Sequence, residues 1–134
     1  MTAIKDIEGI GPVYAKKLKD VGIATTEKLL EAGAAPKGRK ALAEKAGIDE
    51  TLILEWVNLA DLFRIKGVGS EYSDLLEEAG VDTVVELSKR VPKHLFDKMV
   101  EINTAKKLVR KMPVEKQVAD WVEQAKKLPR IVSY

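Results

Sequence analysis

Ile7-Glu8-Gly9-Ile10-Gly11-Pro12-Val13-Tyr14 returns 58 residues later as Ile65-Lys66-Gly67-Val68-Gly69-Ser70-Glu71-Tyr72. At the same offset Leu18 aligns with Leu76, Gly22 with Gly80, Ile23 with Val81, Thr25 with Thr83 and Leu29 with Leu87. Farther on, Trp56-Val57 and Ala60 align with Trp121-Val122 and Ala125 at an offset of 65, so the second copy gains seven residues between about Pro92 and Pro113. The identities fall on glycines and apolar positions, which a shared backbone and core require. Self-similarity at a fixed period predicts a repeat architecture. The units are expected at 1–63 and 64–134, the second ending in longer basic helices.

Each copy reads as helices. Leu52, Ile53, Trp56, Val57, Ala60 and Leu62-Phe63 follow a helical period, as do Val118, Trp121, Val122, Ala125 and Leu128. Gly22, Gly33, Gly47 and Gly80 stand where helices should stop, because glycine takes a left-handed cap at little cost. Thr25 or Thr26, Asp49, Asp82 or Thr83, and Asn103 suit N-caps. Helices are predicted near 12–21, 26–32, 38–46, 50–63, 70–79, 83–90, 93–101, 104–112 and 114–127. No stretch alternates at period two long enough for a sheet, so the fold class is all-α. The paired tryptophans, on apolar helix faces, read as core anchors.

In the first copy Ile4-x-x-Ile7-x-Gly9-Ile10-Gly11-x-x-x-Ala15 places two apolar residues a helical turn apart, then a tight turn, then a small residue; Leu62-x-x-Ile65-x-Gly67-Val68-Gly69-x-x-x-Ser73 repeats it. The glycines supply conformations that side chains block. The residue between them can plug into the core, leaving turn amides and a helix N-terminus as an anion site. The competing reading is a compact turn joining two helices. These residues resemble the helix-hairpin-helix motif of many DNA polymerases, ligases, glycosylases and recombination proteins. That resemblance implies two tandem, SAM-like helix-hairpin-helix repeats packed as a compact helical protein, with hairpin amides holding backbone phosphate independently of sequence. The wider pattern, including Ala32-Gly33-Ala34-Ala35-Pro36-Lys37-Gly38-Arg39, Leu54-Glu55-Trp56-Val57 and Phe63-Arg64-Ile65-Lys66-Gly67-Val68-Gly69, resembles the uncharacterised family domain of unknown function 4332. Where binding hairpins often carry Lys or Arg soon after the second glycine, this chain has Val13 and Glu71.

Net charge is only +2, but unevenly spread. From Ile65 to Ser88 one lysine faces six acids, and from Lys89 to Tyr134 twelve basic residues face five acids. Lys106, Lys107, Arg110 and Lys111 have helical spacing and would form one basic face able to track a phosphate backbone. A solvated surface, or one that neutralises the acidic 65–88 segment, is the other reading of that cluster.

The sequence has no cysteine and one histidine, His94, expected to be exposed. Thiol chemistry, thiolate metal sites and multi-histidine metal sites are thereby excluded. The glycine turns lack the strand context of a dinucleotide fingerprint and no Walker lysine follows them. The expectation is a non-enzymatic, cofactor-free, cytoplasmic binding module with no membrane span. Nucleic acid, most simply DNA, would meet Gly9, Ile10, Gly11, Lys16 and Lys17 at the first hairpin. Arg64, Lys66, Gly67, Val68 and Gly69 would serve at the second, and Lys106, Lys107, Arg110 and Lys111 would extend the footprint. The alternative is a protein-interaction or assembly adaptor, including self-association, for which Pro129-Arg130-Ile131-Val132-Ser133-Tyr134 could be a contact if it does not pack back onto the body.

Overall fold

A computed structural model describes residues 2–134. The protein is all-α. Among the described residues a 3₁₀ turn at Ile4–Asp6 precedes eight helices: α1 (Pro12–Asp20), α2 (Thr26–Gly33), α3 (Pro36–Ala46), α4 (Glu50–Leu62), α5 (Ser70–Glu78), α6 (Val84–Ser88), α7 (Pro92–Lys106) and α8 (Glu115–Lys127). The chain divides into two compact units. One comprises the residues up to Asp61 together with Ile131–Tyr134, and the other is Leu62–Arg130. The boundary lies two residues before the position expected from the repeat, and the last four residues join the first unit rather than the second.

Local sequence sets several helix ends. The Thr25 hydroxyl accepts the Lys28 amide at 3.1 Å, and the Thr83 hydroxyl accepts the Glu86 amide at 3.3 Å. The Asp49 carboxylate accepts the Thr51 amide at 2.7 Å. Each satisfies a donor that a helix start leaves without a partner. At the start of α2 the Glu27 carboxyl is held below the usual glutamate range, first by its own backbone N–H. That contribution is present at neutral pH and is lost as pH falls through the lowered value. Gly22, Gly47 and Gly80 have φ of +88°, +68° and +94° and end helices in the left-handed region.

Gly33 departs from the expectation. It is the last residue of α2, but Ala34 continues with right-handed φ and ψ. Glycine stands there for space, since an added Cβ would lie 2.5 Å from Val57 Cγ2 on α4. Gly38 on α3 is tighter still, because an added Cβ would overlap the Ala32 carbonyl oxygen on α2. A backbone atom cannot rotate away as a side chain can. Gly38→Ala is therefore expected to lower stability by about 2 kcal/mol, read as a lower urea midpoint, despite alanine's better helix propensity.

In the first unit the core includes Ile4, Ile7, Leu18, Leu29, Ile53 and Trp56. In the second, Leu62, Ile65, Leu75, Leu76, Leu87, Met99, Val118 and Trp121 form one buried cluster. Both tryptophans are buried, each against a tyrosine. Tyr14 lies 5.0 Å from Trp56 and Tyr72 lies 5.3 Å from Trp121, both tilted. Such pairs add about 0.5–1.5 kcal/mol beyond area burial.

The segment 93–112 differs from its sequence reading. One helix, α7, runs to Lys106, and residues 107–114 are not helical. Asn103 does not cap a new helix. It lies inside α7, where its Oδ1 accepts the Val109 amide at 2.9 Å and its Nδ2 donates to the Val109 carbonyl at 3.4 Å. Lys107 takes φ +52°, the single positive value at a non-glycine among the described residues. Its amide closes α7 on the Asn103 carbonyl at 2.8 Å. The Cβ of an L-residue is strained there. Lys107→Gly is expected to raise stability by roughly 0.5–1 kcal/mol, measurable as a rise in Tm.

Candidate nucleic-acid interface

The first glycine turn is built by a relay of backbone bonds. Ile7 N–H donates to the Ile4 carbonyl at 3.0 Å, and Ile10 N–H donates to the Ile7 carbonyl at 3.1 Å. Gly9, with φ +94°, lets the chain reverse over Trp56, whose Nε1 would lie 3.5 Å from a Cβ at that position. Ile10 is 5% exposed, so it plugs into the core as its place between two glycines predicts. Gly11 is extended and precedes Pro12, the first residue of α1. A Cβ at Gly11 would meet nothing within 4 Å, so the outer side of the turn is open.

This geometry corrects the expected donor set. The Ile10 amide closes the turn and cannot serve an anion. In α1 the donors of the first turn come instead from Val13 and Tyr14, because proline has no N–H. Three lysines lie alongside this helix, Lys19 in its last turn. Lys5, Lys16 and Lys19 border a concavity of about 520 Å³ whose remaining lining is Ile10, Pro12 and Ala15. Lys16 also reaches Asp20 at 3.1 Å, but both side chains are more than half exposed and such a pair contributes little. Lys17 does not line the concavity. Its ammonium lies 5.9 Å from the Tyr14 ring centroid and 3.4 Å from the Gly47 carbonyl.

The second glycine turn has the same backbone form and different surroundings. Gly67 has φ +97°, Val68 is 6% exposed, and the Val68 amide donates to the Ile65 carbonyl at 3.1 Å. As at Ile10, that amide is occupied. Gln124 of α8 fastens the turn further. Its Oε1 accepts the Lys66 amide at 2.8 Å, and its Nε2 donates to the Lys66 carbonyl at 3.1 Å. Leu59 stands at the aligned position of the first copy and cannot do this. The adjoining concavity, about 360 Å³, brings together Lys66, Gly67, Lys116, Gln117 and Asp120 beside Trp121, so an acid shares it with two bases. Arg64 Nη2 donates to the Pro129 carbonyl at 2.6 Å. Gly69, like Gly11, has open space beside it.

Lys106, Lys107, Arg110 and Lys111 do not form one helical face. Lys106 ends α7 and the other three lie in the non-helical segment after it. Lys106 pairs with Glu78 at 2.9 Å, and Arg110 Nε lies 3.6 Å from Glu71. The Tyr72 hydroxyl donates to the Lys111 carbonyl at 2.8 Å. Two of the four charges thus answer the acidic α5, the neutralising arrangement weighed in the sequence.

A family model for a domain of unknown function, DUF4332, matches residues 8–128. The chain belongs to the DUF4332 family. No curated protein and no solved structure matched it. Both glycine turns of this DUF4332 protein fall within the matched span. Lys5 lies before it, and no motif pointed to that residue. Lys19 carried a usable signal, being three residues beyond Lys16 on the same helix face. Among the described residues no group of three or more His, Asp or Glu is placed to hold a metal, and no helix is long and apolar enough to cross a membrane. His94 is exposed.

Proposed function

We propose that this DUF4332 protein is a non-enzymatic module that binds nucleic-acid backbone, DNA in the first instance, without reading sequence. Each unit is a helix-hairpin-helix copy, and the first carries the binding surface. The observation supporting this reading most is the open turn at Gly9–Gly11 leading into α1, with Lys5, Lys16 and Lys19 around the concavity that runs along that helix. Helix starts and lysines both favour phosphate, and the small apolar floor offers no hydrogen-bond pattern with which to read bases. The second copy serves as scaffold. Its turn backbone is held by Gln124, and the basic residues at and after the end of α7 are partly paired with Glu71 and Glu78.

Binding through three lysines releases few counterions. Fluorescence anisotropy of a labelled DNA duplex should give weak binding whose log–log salt slope is about −3, against about −7 if the 106–111 cluster and Lys66 also engaged phosphate. Absence of binding at low salt would retire the proposal and leave both turns as scaffold.

A further inference from the structure

The residues 131–134 are held by the first unit in the manner of a bound peptide. The Ser133 amide donates to the Ala34 carbonyl at 2.8 Å, and the Ser133 carbonyl accepts Arg39 Nη2 at 2.8 Å. Val132 is 3% exposed, whereas Ile131 and Tyr134 remain exposed. The Tyr134 hydroxyl donates to Asn58 Oδ1 at 3.1 Å, and its ring centroid lies 5.9 Å from the Arg39 guanidinium carbon. Ser133 is thus recognised through both its amide and its carbonyl, flanked by a buried β-branched side chain and an anchored aromatic ring. Main-chain bonds with alternate side-chain anchors are how extended peptides are recognised generally.

The receiving half is organised by the unit's own helices. Arg39 Nη1 donates to the Gly33 carbonyl at 2.9 Å and to the Ala34 carbonyl at 3.0 Å, contacts that owe nothing to residues 131–134. A guanidinium fixed in this way reaches the Ser133 carbonyl with its other nitrogen. None of the anchors depends on the covalent link through Pro129-Arg130.

We infer that the first unit contains a preformed peptide site for an Ile-Val-Ser-Tyr segment, and that a second copy of this chain can supply the segment. The occupant is specified by residues 131–134, the sequence that fits. Exchange of a short segment between identical chains creates an association from contacts already present in one of them. In the wild-type chain the tethered segment competes at high effective concentration and keeps exchange rare.

Complementation between two variants tests this. An acceptor, Val132→Lys with Ser133→Pro, cannot fill its own site, because the buried place of Val132 would have to take an ammonium and proline has no N–H. A donor, Arg39→Ala, keeps the segment but lacks the anchor. Sedimentation velocity should show a one-to-one heterodimer on mixing and monomers for each variant alone. If the donor does not fold, a blocked, labelled peptide of Arg130–Tyr134 replaces it. The peptide should then bind the acceptor saturably, and about tenfold or more weakly when Arg39→Lys is added to the acceptor. A folded acceptor, verified by circular dichroism, that takes neither donor nor peptide overturns the inference. Peptide binding indifferent to Arg39→Lys overturns it as well.

Discussion

Replacing Arg39 by alanine is expected to lower stability by about 3 kcal/mol, the largest single-residue effect anticipated outside the apolar core. Arg39 is 4% exposed, and three backbone carbonyls, those of Gly33, Ala34 and Ser133, take its protons at 2.8–3.0 Å. Two of these acceptors lie at the end of α2, where carbonyls lack helical partners and the helix dipole is negative. Burial of an unpaired cation would ordinarily be unfavourable, but a guanidinium spreads its charge and offers five donors in a fixed plane. Truncation strands the Gly33 carbonyl and removes the packing of the side-chain stem. Arg39→Lys should recover little, because one ammonium cannot reproduce the fork that joins the α2 end to Ser133. Urea unfolding monitored by circular dichroism measures both variants. A loss below about 1 kcal/mol for alanine would mean that water replaces the guanidinium without strain.

Converting Lys5, Lys16 and Lys19 together to glutamate should weaken duplex binding by at least about a hundredfold at low salt, while stability changes by less than about 1 kcal/mol. All three side chains are exposed and only Lys16 has a side-chain partner, so little folded structure depends on them. Their reversal replaces an attractive field along α1 with a repulsive one. The matched control converts Lys106, Lys107, Arg110 and Lys111. There a modest change in binding is expected, with at most a small loss of stability as Glu78 and Glu71 lose exposed partners and gain like charges. Equal losses of binding in the two variants would place the footprint across both units and contradict the assignment to the first turn.

The helices were legible where their ends are decided locally. Thr25 and Thr83, Gly22, Gly47 and Gly80 act through bonds or dihedrals within a few residues, and the sequence carries that information directly. Trp56 and Trp121 were legible because a repeated apolar position rarely means anything but core. The 104–112 segment misled because basic residues at helical spacing, without glycine, satisfy every local rule. Contacts to distant or laterally placed groups decide it instead, namely Tyr72 with Lys111, Arg110 with Glu71 and Asn103 with Val109. Pro113 lies in the loop just before α8, as its sequence reading expects.

The site was legible in outline only. The glycine pattern gave the turn and the burial of Ile10, but the loss of the Ile10 amide to the Ile7 carbonyl follows from the turn's hydrogen bonding. Lys5 reaches the α1 start through the fold of the 3₁₀ turn, which no spacing announces. Arg39 and Gln124 resemble surface residues in a charged helical sequence, and the positions of Gly33, Ala34 and Ser133 for the one, and of Lys66 for the other, give them their roles.

The most direct measurement is a two-dimensional amide NMR spectrum of labelled protein titrated with a short DNA duplex at low salt. Binding at the first turn should move the amides of Gly9, Gly11, Val13 and Tyr14, reverse on addition of salt, and leave Gly67, Gly69 and Glu71 in place. Shifts centred on the second turn, or no shifts at any salt concentration, would contradict the proposal that the first copy holds nucleic-acid backbone.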